Sequence, residues 1–163
     1  MARDKKRLAK QQASARAAKS VPQAISGTKS KNIDLAPAPD SDWYKKNFRW
    51  SQRTMDVEFK GDWDWELTAK QAKSILEHLE EMSVKTWDEI SKETAGVKGR
   101  AKAHPQSLDS IVSTARDRLE ELQVEVEELY RIRIGYAERL WGYRSQGCFH
   151  ILWFDRSHAI YDD

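Results

Sequence analysis

The last third of the chain, LYRIRIGYAERLWGYRSQGCFHILWFDRSHAIY from Leu129 to Tyr161, holds three β-like runs separated by turn signals. Any fold of this chain has to pair them. Successive side chains of a strand point to opposite faces. In the first run, Leu129 to Ile134, this puts Tyr130, Ile132 and Ile134 on one side and Arg131 and Arg133 on the other. In the second, Arg139 to Arg144, it puts Arg139, Trp141 and Tyr143 on one side and Leu140, Gly142 and Arg144 on the other. Ser145, Gln146 and Gly147 make a short hairpin loop with a glycine available for positive φ. The third run, Cys148 to Phe154, is apolar on both faces apart from His150, the pattern of a central strand covered on each side. Asp155, Arg156, Ser157 and His158 then form a polar turn before a last apolar piece, Ala159 to Tyr161.

Two consecutive hairpins make a small antiparallel sheet, which needs a helical layer against it. The middle of the chain supplies one. Thr68 and Gln71 form a capping box, followed by Ala72, Ile75, Leu76, Leu79 and Met82 at helical spacing, which predicts a helix over 69–82. A second box, Thr86 with Glu89, opens a short helix holding Trp87 and Ile90. Ser107 caps a third over 108–122, with Leu108, Ile111, Val112, Ala115, Leu119 and Leu122 on one face. Residues 91–106 carry Gly96, Gly99, Lys92, Lys98, Arg100 and Lys102 and read as a flexible loop, either solvated or touching phosphates through its charge and glycines, without the spacing of a phosphate-cradling one. Upstream, Met55, Val57 and Phe59 alternate with Asp56, Glu58 and Lys60 as in a strand, and Trp63 and Trp65 repeat the alternation. Trp43 and Trp50 anchor the start of the folded part by packing. The expected fold class is α+β: a small antiparallel sheet packed on two or three helices.

Charge divides the chain. Residues 1–31 contain nine Lys or Arg against one acid, a net of +8, which leaves −6 for the rest of a chain whose total is +2. The basic stretch has no aromatic residue and cannot bury enough surface to fold alone. Residues 1–41, with Pro37, Pro39 and Asp40 in a linker, therefore read as a disordered basic arm, and 42–163 as a single α+β domain. Such an arm suits phosphate backbones, with Lys5, Lys6, Arg7 and Lys10 as contacts, or serves as a solvated extension. The mean hydropathy of −0.81 and the lack of a long apolar run exclude a membrane helix. One cysteine cannot form an internal disulfide, which fits a reducing cytosol.

Within the domain, the Asp155–His158 pair is placed either for a structural turn, with the carboxylate accepting from a backbone N–H or the imidazole, or for catalysis. His150 reads as a core or edge histidine and Cys148 as the start of a buried strand rather than a nucleophile. Arg131 and Arg133 can pair with Glu125, Glu127 or Glu128 at the surface. Ligand spacing for a metal is absent apart from Asp155 with His158, so neither metal nor cofactor is expected.

Helices followed by a meander reading L-x-R-x-R-x-G, then R-L-x-G-x-R, then an apolar strand and a terminal H-x-x-Y, resemble the small ribonuclease toxins of the RelE/ParE superfamily. The stretch RLWGYRSQGCFHILWFDRSHAIY is also similar to a group of small prokaryotic, phage and plasmid proteins sharing R-(L/V)-x-G, F-(H/Y)-(I/L)-(L/V)-W and D-x-x-H-x-x-Y. The resemblance implies metal-free cleavage of RNA, at the ribosome, and an antitoxin as partner. It implies His158 as base or acid, Tyr161 as a proton donor or orienting group, and Arg133, Arg139 and Arg144 as phosphate-binding cations, with Arg131 beside them on the nucleic-acid surface. Cleavage of this kind needs a base for the ribose 2′-hydroxyl, an acid for the leaving oxygen and cations for the phosphate charge. Two other classes stand beside the nuclease. One is a non-catalytic module that binds nucleic acid or a ribosome through the arm and sheet. The other is a protein-interaction factor docking through an aromatic sheet face of Trp141, Tyr143 and Phe149.

Overall fold

Strand β1 (Arg49–Ser51) begins the sheet of the computed structural model, which describes residues 42–96 and 99–161. A capping box at Thr68 and Gln71 starts helix α1 (Ala69–Ser83), and a second at Thr86 and Glu89 starts α2 (Trp87–Lys92). Both boxes satisfy orphan N–H groups reciprocally, as their sequence requires. Two short strands, β2 (Thr94–Ala95) and β3 (Arg100–Ala101), form a separate two-stranded ribbon. Then come β4 (Ala103–Ser107), helix α3 (Ser113–Glu121), and the meander β5 (Glu128–Arg133), β6 (Arg139–Ser145) and β7 (Cys148–Asp155). The five-stranded sheet runs β1-β7-β6-β5-β4. The fold class is α+β. Among the described residues no helix is long and apolar enough to cross a membrane.

Both faces of this sheet are covered. On one, α1 and α2 bring Ile75, Leu79, Met82, Trp87 and Ile90 against Tyr130, Ile132, Leu140, Phe149 and Phe154. On the other, Ile111 together with Ala115 and Leu119 of α3 packs on Leu129, Trp141, Leu152 and Trp153. The turn between β6 and β7 has Gln146 at φ 50° and Gly147 at φ 76°, the two left-handed residues that a tight hairpin demands. Gly142 is required for another reason: a Cβ there would sit 2.1 Å from the His150 carbonyl oxygen.

Four expectations need correction. The sheet is mixed, because β1 pairs parallel with β7, Arg49 opposite Cys148. The stretch 55–59 is not a strand. Asp56 turns inward with its side chain 1% exposed, accepting from Arg118 Nε and Nη2 at 2.8 and 2.7 Å and from Trp153 Nε1 at 3.0 Å. That inward carboxylate breaks the alternation, and the segment instead donates through Asp56 N–H and Trp65 Nε1 to the Leu152 carbonyl. Residues 91–106 are not a loop throughout, since β4 joins the sheet edge, its Pro105 tolerable where one side of the ladder is open. The third helix is shorter than its apolar pattern: Ser107 caps only a 3-10 turn, Leu108–Ser110, and Ile111 is drawn into an antiparallel bridge with Tyr161 before α3 begins.

Candidate functional site

Helix α3 covers only part of its face. Towards the β3, β4 and β5–β6 ends the sheet is open, and a concave site of about 710 Å³ forms there without any α3 residue in its lining. Alternation along β5 sends Arg131 and Arg133 to this side while Tyr130 and Ile132 enter the opposite core. Arg131 is central. Its guanidinium lies 5.7 Å from the Trp141 ring and 5.4 Å from that of Tyr161. Nη2 is 2.7 Å from His104 Nε2, and Nη1 is 3.0 Å from His158 Nε2. A guanidinium can only donate, so each Nε2 accepts. For His104 the rest of the ring agrees: its Nδ1 lies 2.8 Å from the Pro105 carbonyl, to which it donates. His104 is delivered by register, directly opposite Arg131 on β4.

His158 arrives by a turn. It has φ 67°, a left-handed conformation rare for a residue with a Cβ. Buried Asp155 holds this turn: Oδ1 accepts from Ser157 and Ala159 N–H at 3.2 and 2.9 Å, and Oδ2 from Ile160 N–H at 3.1 Å and Trp141 Nε1 at 3.3 Å. Of the two roles open to the Asp155–His158 pair, the carboxylate takes the structural one, clamping backbone amides, while the imidazole lines the pocket. Tyr161 is pinned through its bridge to Ile111, its ring 5.6 Å from that of His158.

Arg133 and Arg139 are register partners on β5 and β6. Arg133 Nε donates to the Gly135 carbonyl at 3.0 Å, and Arg139 Nη1 to the carbonyls of Gly135, Tyr136 and Glu138 at 3.1, 3.3 and 2.9 Å. The two arginines thus brace a turn whose tip, Tyr136, is 93% exposed. Burial, followed by the charges of Arg131 and Arg133, lowers the Arg139 pKa to about 10. Burial also lowers that of Arg131, against opposing contributions from Tyr161 and Asp155. Among the described residues none of Arg100, Arg131, Arg133 and Arg139 forms an ion pair, whereas Arg118, Arg144 and Arg156 meet Asp56, Glu128 and Asp64. The surface pairing of Arg131 and Arg133 with glutamates is thereby corrected. Desolvated cations without a counter-charge make a site for an anion.

Of the residues singled out in the sequence, Arg131, Arg133, Arg139, His158 and Tyr161 converge here. Arg144 does not. Its side chain is 11% exposed on the opposite face, 4.3 Å over the Tyr130 ring, 5.4 Å from Trp87 and 5.7 Å from Trp43, with Glu128 at 3.6 Å. The phosphate-binding role assigned to Arg144 is corrected to a packing one. An aromatic docking face is corrected as well: Trp141, Tyr143 and Phe149 are all buried, and Phe149 belongs to the other core. Lys5, Lys6, Arg7 and Lys10 lie outside the described residues. His104 and Tyr136 are site residues that the sequence does not single out, and Arg100 enters from the basic stretch read as a loop; the signal for His104 is a proline-bearing edge strand hidden in that glycine-rich, basic stretch. His150 stacks on Tyr143 at 4.9 Å, away from the pocket, its pKa lowered by burial. Among the described residues no three His, Cys, Asp or Glu side chains gather as metal ligands. No family model matches the chain, and neither a curated protein nor a solved structure matches it.

Proposed function

We propose that this chain is a toxin-like endoribonuclease that cleaves RNA with its own side chains. The observation that carries the reading is the convergence in one pocket of two imidazoles, the Tyr161 phenol and four arginines that have no carboxylate partner among the described residues. Arg131, Arg133 and Arg139 supply positive charge where a phosphodiester gains negative charge in the transition state. One imidazole Nε2, released from Arg131, accepts the ribose 2′-hydroxyl proton as the 2′-oxygen attacks phosphorus. The bond to the 5′-oxygen breaks, and that oxygen takes a proton from the second imidazole or from Tyr161, leaving a 2′,3′-cyclic phosphate and a 5′-hydroxyl. Exposed Tyr136 beside the cations offers a ring on which an unpaired base can stack. The RelE/ParE resemblance adds the ribosome as the setting, the cytoplasm as the compartment and an antitoxin as partner.

The test is induction of the wild type and of a His158→Ala, Tyr161→Phe double variant in a bacterial host, with total RNA examined in both. Growth arrest with RNA cleavage only in the wild type is expected. Arrest by both proteins without cleavage would overturn the catalytic reading and leave a nucleic-acid-binding module.

A further inference from the structure

The two guanidinium nitrogens of Arg131 that would grip an oxyanion in a fork are the ones that the imidazoles hold. Nη1 donates to His158 and Nη2 to His104, whereas an arginine recognises phosphate or carboxylate by two parallel N–H bonds from one side. Each of those nitrogens carries a second N–H, so an oxyanion seated on them is placed directly against both imidazoles. We propose that His104 and His158 form a proton-gated oxyanion clamp around Arg131: a phosphodiester or similar oxyanion takes two guanidinium donors, and the adjacent imidazoles take up protons and donate to it in turn. This deepens the phosphate-binding reading given above and rests on it for the identity of the natural ligand.

The surroundings support the exchange. The His104 Nδ1–H stays on the Pro105 carbonyl, so the ring keeps its place while Nε2 turns from acceptor to donor. Among the described residues, the charged and titratable groups that line the pocket with the pair are Arg100 from β3, Lys102 paired with Glu93, Arg133 from β5, Arg139 from β6, and Tyr136 and Tyr161. Asp155 lies behind them with its oxygens engaged by four N–H groups. In the empty pocket a proton on either ring adds positive charge to a cation cluster; with an oxyanion present that repulsion is offset. Anion and proton thus favour each other's binding, and the coupling is reciprocal. The sign follows. The occupied site binds protons more tightly, so the affinity gained is complete below the pKa of the empty site and is lost as pH rises through that of the occupied one.

Sulfate is a suitable probe, because its own charge is constant from about pH 5.5 to about 8.5, as is that of every lysine and arginine in the basic arm. Calorimetric titration of the full chain should show sulfate affinity rising by about tenfold or more as pH falls across that range. His104→Gln and His158→Gln, which keep an acceptor for Arg131, should each shallow the dependence, and together flatten it. Circular dichroism checks that each variant is folded, and either single variant alone suffices. Absence of sulfate binding, an affinity independent of pH, or an unchanged slope in a folded histidine variant would overturn the clamp. A 2′-O-methyl RNA oligonucleotide, which cannot be cleaved, separates the two readings. Failure to bind it while sulfate still follows pH would defeat the RNA assignment and leave the clamp standing; binding with a flat sulfate profile would do the reverse.

Discussion

Arg144 and Arg131 lie on neighbouring strands, each with its guanidinium against aromatic rings, yet on opposite faces of the sheet. Arg144 is enclosed by Tyr130, Trp87 and Trp43 and meets Glu128. Arg131 rests on Trp141 and Tyr161 and meets two imidazoles, with no carboxylate in ion-pairing range among the described residues. Aromatic contact is common to both and does not distinguish them. The counter-charge does: where the chain provides one, the arginine belongs to the core, and where it provides only hydrogen-bond acceptors, the arginine is open to a ligand. Desolvation without a partner is costly for a fold, and such a cost persists where it serves binding.

The comparison predicts a sharp split in mutational behaviour. The largest effect belongs to Arg144→Ala, which removes three cation–π contacts and an ion pair and should cost about 2–4 kcal/mol in a chemical denaturation series, with sulfate binding retained by the folded variant. A smaller effect tests the paired arginines by pH. The hydrogen bond from Arg156 Nη2, chiefly, lowers the Asp64 pKa to about 2. Because the folded value lies below the unfolded one, the stabilisation is present above the ordinary carboxylate range and is lost as pH falls towards 2. Between neutral pH and about pH 3 this pair should lose on the order of 1 kcal/mol, and Asp64→Asn should show a correspondingly weaker acid dependence. The smallest effect on stability belongs to Arg131→Met, which should stay within about 1 kcal/mol of the wild type while abolishing sulfate binding. A large destabilisation by Arg131→Met, or loss of sulfate binding in a folded Arg144→Ala, would erase the distinction between the two arginines.

Much of the frame was legible because its signals were local. Both capping boxes start helices where Thr68 and Thr86 place them, and the three runs of the meander became β5, β6 and β7 within a residue or two. Strand alternation had already set Arg139 apart from Arg144, one with Trp141 and the other with Leu140; grouping both as phosphate ligands came from the resemblance, and the geometry sides with the alternation. What could not be read depended on partners far along the chain. Met55, Val57 and Phe59 alternate, yet Asp56 is drawn inward by Arg118, sixty-two positions away. His104 gained its place from Arg131, twenty-seven positions away.

The turn that presents His158 depends on a count. In β7 the ladder slips between Trp141 and Gly142, so that Trp141 faces Trp153 while Gly142 faces Ile151, and Leu152 is an extra residue. Leu152 and Trp153 consequently both enter the α3 core. Were the same residues strung in unbroken alternation, every side chain beyond Leu152 would change sides, since the period of a strand is two. Phe154 would turn into the α3 core, and Asp155 would leave Trp141 and aim its carboxylate away from the turn it holds. The parity of one strand thus decides on which side of the sheet His158 and Tyr161 emerge. A single slip in one ladder is what keeps the pocket's last two residues from emerging on the wrong side of the molecule.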